Sequence, residues 1–125
     1  MPSYKFSPDH QWIDAGADLA AAPVGITAYA QDTLGDIVFV DLPAVGATFA
    51  RGEVAAVVES VKTAADVFMP VGGEVVEVNE ALRADPSLAN QDPRGAGWFF
   101  RIRVADATQL DGLLDEAAYD AAKDA

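Results

Sequence analysis

The residue in this chain best suited to covalent chemistry is a lysine. Lys62 is the only lysine between Lys5 and Lys123, and it sits in Glu59-Ser60-Val61-Lys62-Thr63-Ala64-Ala65-Asp66. An amine on a four-carbon stem, once acylated, becomes a long tether for a carried group. The runs on either side resemble each other: Gly52-Glu53-Val54-Ala55-Ala56-Val57-Val58-Glu59 and Gly73-Glu74-Val75-Val76-Glu77-Val78-Asn79-Glu80 share Gly-Glu-Val at the start and Glu at the end, 21 residues apart. A repeated β unit with a lysine at its centre predicts that the two strands meet in a hairpin and hold the amine out in water. Other reactive groups are sparse. There is no cysteine, hence no thiol nucleophile, disulfide or thiolate metal site, and the lone histidine, His10, is no metal site by itself. Phosphate-cradling Gly-x-Gly-x-x-Gly and Gly-x-x-x-x-Gly-Lys motifs are also missing, so no residue set in the sequence points to independent catalysis.

The elements that must position Lys62 are mostly short strands. Tyr4-Lys5-Phe6, Gln11 to Asp14 and Asp18 to Val24, with a turn at Ala15-Gly16-Ala17, predict an N-terminal hairpin. Thr27 to Gly35 predicts two turns of helix with a capping threonine and a closing glycine. Asp36 to Leu42 is rich in β-branched and aromatic residues and reads as a buried strand, so Val38→Asp is expected to unfold the protein. Glu80 to Asn90, broken at Pro86, predicts a short helix and a helical turn. In Trp98 to Val104, Arg101 and Arg103 alternate with apolar residues, the pattern of a half-exposed strand whose arginines meet nearby acids. Trp12 and Trp98 read as packing anchors. A C-terminal helical segment of about 106–123 follows, with Asp106 opening one helix and Asp115 to Lys123 forming a second.

With 125 residues and 51% hydrophobic content, one domain spanning 1–125 is expected. Twenty acids against eight bases give a formal charge of −12, which disfavours nucleic acid and anionic membranes and favours basic protein partners. The N-terminal residues show no apolar signal segment, and no apolar run approaches the roughly 18 residues of a membrane span. A cytoplasmic monomer is the expectation.

Read in order, Asp9-His10-Gln11-Trp12, Val24-Gly25-Ile26-Thr27, Leu34-Gly35-Asp36-Ile37-Val38-Phe39-Val40, Val58-Glu59-Ser60-Val61-Lys62, Gly73 to Asn79 and Gly97-Trp98 resemble the H proteins of the glycine cleavage system from Tyr4 to about Tyr119. The resemblance implies a mainly β fold with short helices, a flattened barrel-sandwich hybrid of the lipoyl/biotinyl-like kind built from two antiparallel sheets. It implies lipoate in amide linkage on Lys62 as N6-lipoyl-lysine, attached by a lipoylating enzyme. It further implies a carrier that takes the aminomethyl group of glycine from a pyridoxal-phosphate glycine decarboxylase to a tetrahydrofolate-dependent aminomethyltransferase, and then presents its dithiol to dihydrolipoyl dehydrogenase. In such proteins the loaded arm, a cation, folds back into a surface cleft. Asp66 matches a cleft acid, and Asp9-His10-Gln11-Trp12 matches the opposite wall. Family members usually carry Glu where this chain has Gln11, which can hydrogen-bond an ammonium but adds no charge, so Asp9 and Asp66 are expected to supply the negative field.

Several residues keep two readings. Glu59 is either a solvated charge or a recognition point for the lipoylating enzyme, Asp9 and Gln11 are either turn and strand surface or cleft wall, and His10 is expected to pack or line the cleft rather than catalyse. Lipoyl modules of 2-oxoacid dehydrogenases and biotin carriers also display a lysine on a hairpin, but with Asp-Lys-Ala and Met-Lys-Met in place of Val61-Lys62-Thr63. A lipoyl relay that hands its cofactor to other enzymes would need the same lysine, whereas a purely structural interaction protein would leave Lys62 unmodified.

Overall fold

The computed structural model describes residues 4–7, 10–16 and 18–123. Their strands build two antiparallel sheets. In the larger one β1 (Tyr4–Phe6), β2 (Gln11–Asp14) and β3 (Ala22–Ile26) form a meander, and the order continues through β9 (Phe100–Val104) and β8 (Gly73–Val78) to β5 (Thr48–Phe49). The smaller sheet has β6 (Val54–Ser60) between β4 (Ile37–Asp41) and β7 (Ala64–Phe68). Alternation along each strand sends one set of side chains inward. Val40, Val58 and Val67 of the small sheet share one buried core with Val24, Val75 and Ile102 of the large one. Each such side chain contributes about 1.5–3 kcal/mol relative to exposure. This is the expected two-sheet hybrid, and the sheets do not close into a barrel.

A second, smaller cluster of Phe6, Trp12 and Tyr119 fastens the C-terminal segment to β1. Phe6 and Leu114 exchange backbone hydrogen bonds of 2.8 Å in both directions, and the Tyr119 ring stacks on Phe6 at 4.7 Å. Trp12 donates its indole N–H to the Pro93 carbonyl at 3.0 Å. Its ring lies directly over Gly25, where a Cβ would come within 2.8 Å of it.

The structure departs from the sequence expectations in four places. The two Gly-Glu-Val runs do not meet: β6 pairs with β4 and β7, whereas β8 pairs with β5 and β9 in the other sheet. The lysine hairpin is therefore β6–β7, because the chain after Lys62 turns back at once as β7, while Pro70-Val71-Gly72 carry it across to the second layer. Strand β4 is not buried throughout. Ile37 and Val40 are 3% and 2% exposed, but Val38 and Phe39 are 55% and 50% exposed. The cause is a bulge: Ile37 faces Ser60 and Phe39 faces Glu59, so two steps along β4 match one along β6. Strand β3 begins at Ala22 rather than Asp18, whose carboxylate instead accepts the Ala20 N–H at 3.0 Å in the preceding turn. The helix opened by Asp106 is a 3₁₀ helix, Ala107–Gly112.

The remaining local signals hold. Thr27 accepts the Ala30 N–H at 3.2 Å to start α1 (Ala28–Leu34), and Gly35 ends it at φ +81°, a conformation that favours glycine. Pro86 separates α2 (Glu80–Ala84) from α3 (Leu88–Gln91), and α4 (Glu116–Lys123) closes the chain. Arg101 pairs with Glu77 and Arg103 with Glu74 across β8 and β9. No helix among the described residues is long and apolar enough to cross a membrane.

Candidate functional site

Ser60 organises the turn that presents Lys62. Its hydroxyl accepts the Lys62 and Thr63 N–H groups at 3.2 and 3.1 Å and donates to the Thr63 carbonyl at 3.0 Å, while its own N–H reaches that carbonyl at 2.8 Å. Four bonds on one residue hold the three-residue loop 61–63, which would otherwise be free to rearrange. A fifth ties the tip to the body: the Val61 N–H donates to the Asp36 carbonyl at 3.0 Å. Asn90 of α3 secures that corner from behind, accepting the Ile37 N–H at 2.8 Å and donating to the Gly35 carbonyl at 2.9 Å.

The Lys62 side chain is exposed but runs along Gly35, where a Cβ would lie 3.3 Å from Lys62 Cε. The missing side chain at Gly35 makes room for the lysine stem. Leu34, the preceding residue, lines a cleft of about 290 Å³. Tyr29 and Ala30 of α1 form one wall of that cleft, Val58 and Asp66 of the small sheet another, and His10 and Gln11 a third. Its size lies at the low end for sites that take small molecules.

The third wall is held by long-range contacts. His10 adopts φ +68°, unusual for a residue with a side chain. Its Nδ1 lies 2.7 Å from the Tyr119 hydroxyl, which is also 2.7 Å from Thr27 Oγ1. The imidazole packs on Tyr29 with ring centroids 4.6 Å apart. Gln11 is 2% exposed and its Oε1 accepts the Ser7 hydroxyl at 2.8 Å, so this amide belongs to a buried wall rather than to open strand surface.

Of the residues singled out from sequence, His10, Gln11 and Asp66 line the same cleft, while Lys62 lies outside its lining and passes Gly35, the neighbour of the cleft-lining Leu34. Glu59 does not line it and projects, exposed, from the outer face of the small sheet. Asp9 lies outside the described residues. Among the described residues no group of acids and histidines could hold a metal ion.

The family model for the glycine cleavage H-protein matches residues 4–125. The chain belongs to this family. It is 54% identical over 121 residues to the glycine cleavage system H protein of Methylocella silvestris, an alignment covering 97% of this chain and 95% of that one. The H protein of Bradyrhizobium diazoefficiens is 52% identical over 121 residues (97% and 98% covered), and that of Chromobacterium violaceum 56% over 115 residues (92% and 89%). A crystal structure of a glycine cleavage system H protein from Mycobacterium marinum superposes with a TM-score of 0.86 at 38% identity, covering 100% of this chain and 99% of that one. The fold is thus the lipoyl/biotinyl-like hybrid of H proteins, and the chain is an H-type lipoyl carrier component of the glycine cleavage system.

For an H-type carrier, the supporting residues that sequence reasoning did not single out are Gly35, Ser60, Asn90 and Tyr119. Ser60 sits inside the lysine motif, and a serine two residues before a tight turn carries a usable signal. Gly35 was legible as a helix stop but not as a bed for the lysine. Asn90 and Tyr119 act 53 and 109 residues from their partners, beyond any local pattern.

Proposed function

We propose that this chain is the non-catalytic swinging-arm carrier of the glycine cleavage system, with lipoate in amide linkage on Lys62. The observation that carries the reading is the placement of Lys62: an exposed amine on a hairpin tip locked by Ser60, its stem laid across Gly35, the residue after the cleft-lining Leu34. The residues present suit such a group, because the amine can be acylated without disturbing a buried contact and an apolar cleft with one acidic wall lies within its sweep. Held in amide linkage by Lys62, a lipoyl group would supply a disulfide able to take up the aminomethyl group of glycine from the pyridoxal-phosphate decarboxylase, to offer its methylene to the tetrahydrofolate-dependent aminomethyltransferase, and to be reoxidised through dihydrolipoyl dehydrogenase.

The chain's own residues anchor, shelter and release. Lys62 supplies the amide nitrogen and the reach, and amide formation removes its charge, leaving the local acids dominant. Asp66, with Asp9 just before His10, supplies negative charge toward a cationic cargo, while Leu34, Val58 and Tyr29 keep water from one side of it. Gln11 contributes a neutral amide, so the cargo is held less tightly than by a carboxylate at that place. Glu59, three residues before Lys62 and exposed, is positioned for recognition by the lipoylating enzyme. The working form is one domain, residues 1–125, acting as a monomer in the cytoplasm.

The test is intact mass followed by peptide mapping of protein made in cells supplied with lipoate and a lipoylating enzyme. A lipoyl increment confined to the peptide containing Lys62 is expected. No increment with an active ligase, or a biotin increment, overturns the reading.

A further inference from the structure

A second cavity, of about 270 Å³, shares no lining residue with the cleft formed by His10 and Asp66. The two meet at a buried pair: Ser7 lines the second cavity, and its hydroxyl donates at 2.8 Å to Oε1 of Gln11, which lines the first. Three further segments wall the second cavity. Arg51 and Gly52 come from the turn before β6, Met69 and Pro70 from the crossover after β7, and Gly112 and Leu113 from the end of the 3₁₀ helix. These segments are fixed to one another. The Gly52 N–H donates to the Met69 carbonyl at 2.9 Å and the Met69 N–H to the Glu53 carbonyl at 2.8 Å, while Gln109 Oε1 of the 3₁₀ helix accepts the Gly72 N–H at 2.7 Å. The cavity is therefore preformed, as small-molecule sites usually are.

Its chemistry is that of one cation beside an apolar lining. Met69 and Pro70 are buried, Leu113 is half-buried, and Arg51 is exposed with its guanidinium against Gly112, where a Cβ would lie 3.8 Å from Nη1. Of the five arginines, Arg83, Arg94, Arg101 and Arg103 are ion-paired, whereas Arg51 has no ion pair and no side-chain hydrogen bond among the described residues. That is unexpected in a chain with twenty acids and eight bases. The nearest acids in the chain do not serve it: Glu53 turns its carboxylate back to the Ala50 N–H at 2.6 Å, and the exposed Asp111 forms no pair with it. A capping role at the end of the 3₁₀ helix would put a guanidinium N–H on one of its carbonyls, and no such bond is present among the described residues. The donors of Arg51 are thus open to an anion. At a net charge of −12 the rest of the molecule repels a bare anion, so a ligand must also gain from apolar contact.

We propose that this cavity binds a small monocarboxylate with an aliphatic chain, its carboxylate on Arg51 and its chain over Met69, Pro70 and Leu113. The planar guanidinium matches a carboxylate with two parallel hydrogen bonds, and the flexible Met69 side chain adapts to the shape of the chain. The site does not depend on the carrier reading. Arg51 precedes β6 and Lys62 follows it, so the two bases stand at opposite ends of that strand.

The test titrates hexanoate into the isotope-labelled chain while the backbone amide resonances are followed residue by residue. Saturable shifts are expected at Gly52, Met69, Gly112 and Leu113, with a Kd on the order of 1 mM for so small a ligand. Arg51→Gln changes an exposed side chain and leaves the fold intact, and it is expected to raise Kd about tenfold by removing the charge-assisted bonds. Acetate, which lacks the chain, is expected to bind about tenfold or more weaker than hexanoate. No saturable shift at these amides would overturn the site, as would shifts confined to Tyr29, Val58 and Asp66, which report the other cleft. Equal affinity of wild type and Arg51→Gln would overturn it too, because the guanidinium would then hold nothing, and so would equal affinity for acetate and hexanoate, because the apolar lining would then go unused.

Discussion

Two aspartates placed two residues apart on β4 separate the bulged strand from the fully buried strand that its composition suggests. In Val38→Asp the replaced side chain is 55% exposed, so less than half of it is sheltered. Full burial of a valine is worth about 1.5–3 kcal/mol, and aspartate adds up to about 1 kcal/mol of poor strand preference, giving a loss of about 1–2 kcal/mol. Val40 is 2% exposed and packs in the core, so Val40→Asp forfeits nearly the whole valine term and buries a carboxylate with no base among its neighbours. That change is expected to cost more than about 4 kcal/mol, a large part of the 5–15 kcal/mol available to a typical domain. Urea unfolding followed by tryptophan fluorescence suits the comparison, since Trp12 is 1% exposed and becomes solvated on unfolding. With a slope of about 1–3 kcal/mol/M, Val38→Asp shifts the midpoint by about 0.3–2 M, whereas Val40→Asp leaves little folded protein without denaturant. Equal losses in the two variants would refute the bulge as the reason for the exposure of Val38.

Three further outcomes follow from other parts of the molecule. Tyr119→Phe keeps the ring on Phe6 but removes the hydroxyl shared by His10 and Thr27, and it is expected to cost about 1–3 kcal/mol in thermal unfolding; a loss below about 0.5 kcal/mol would show that the contact does not hold the cleft wall. Gln11→Glu is expected to lengthen the lifetime of the methylamine-loaded form at neutral pH by adding charge to the wall, and an unchanged lifetime would refute a charge-based hold. The Thr108 hydroxyl and then its N–H hold the Asp106 carboxylate below its ordinary value of 3.8. A depressed carboxylate stabilises the fold above the unfolded value and loses that contribution as pH falls through the folded one. The stability advantage of wild type over Asp106→Asn should accordingly be present at neutral pH and disappear on acidification, and a pH-independent difference in denaturation midpoint would contradict this.

The features legible in sequence are those set by neighbouring residues. Lys62 in its turn, Thr27 and Gly35 bounding α1, Pro86 dividing two helices and the alternation of Arg101 and Arg103 all depend on backbone preference or periodicity over a few positions. An ordered series of such motifs along nearly the whole chain suffices to indicate the family and singles out Lys62 as the candidate attachment point. The cleft acid Asp66 and the wall residues His10 and Gln11 were reachable because they flank those motifs.

Tertiary structure decided which strands pair, which side of β4 meets water and what stands behind the lysine. The shared Gly-Glu-Val pattern matched β6 with β8, but pairing is won by the strand that can return over a three-residue loop, which is β7. The exposure of Val38 and Phe39 arises from one extra residue in the ladder, and hydrophobic character does not encode such an offset. Asn90 behind the hairpin and Tyr119 behind His10 join positions far apart in the chain, and only packing of the two layers brings them within hydrogen-bond distance. The sequence by itself thus determined the family and singled out Lys62 as the candidate reactive group, because motifs are short-range properties, while the hairpin partner, the cleft and the outer face came from long-range register and layer packing.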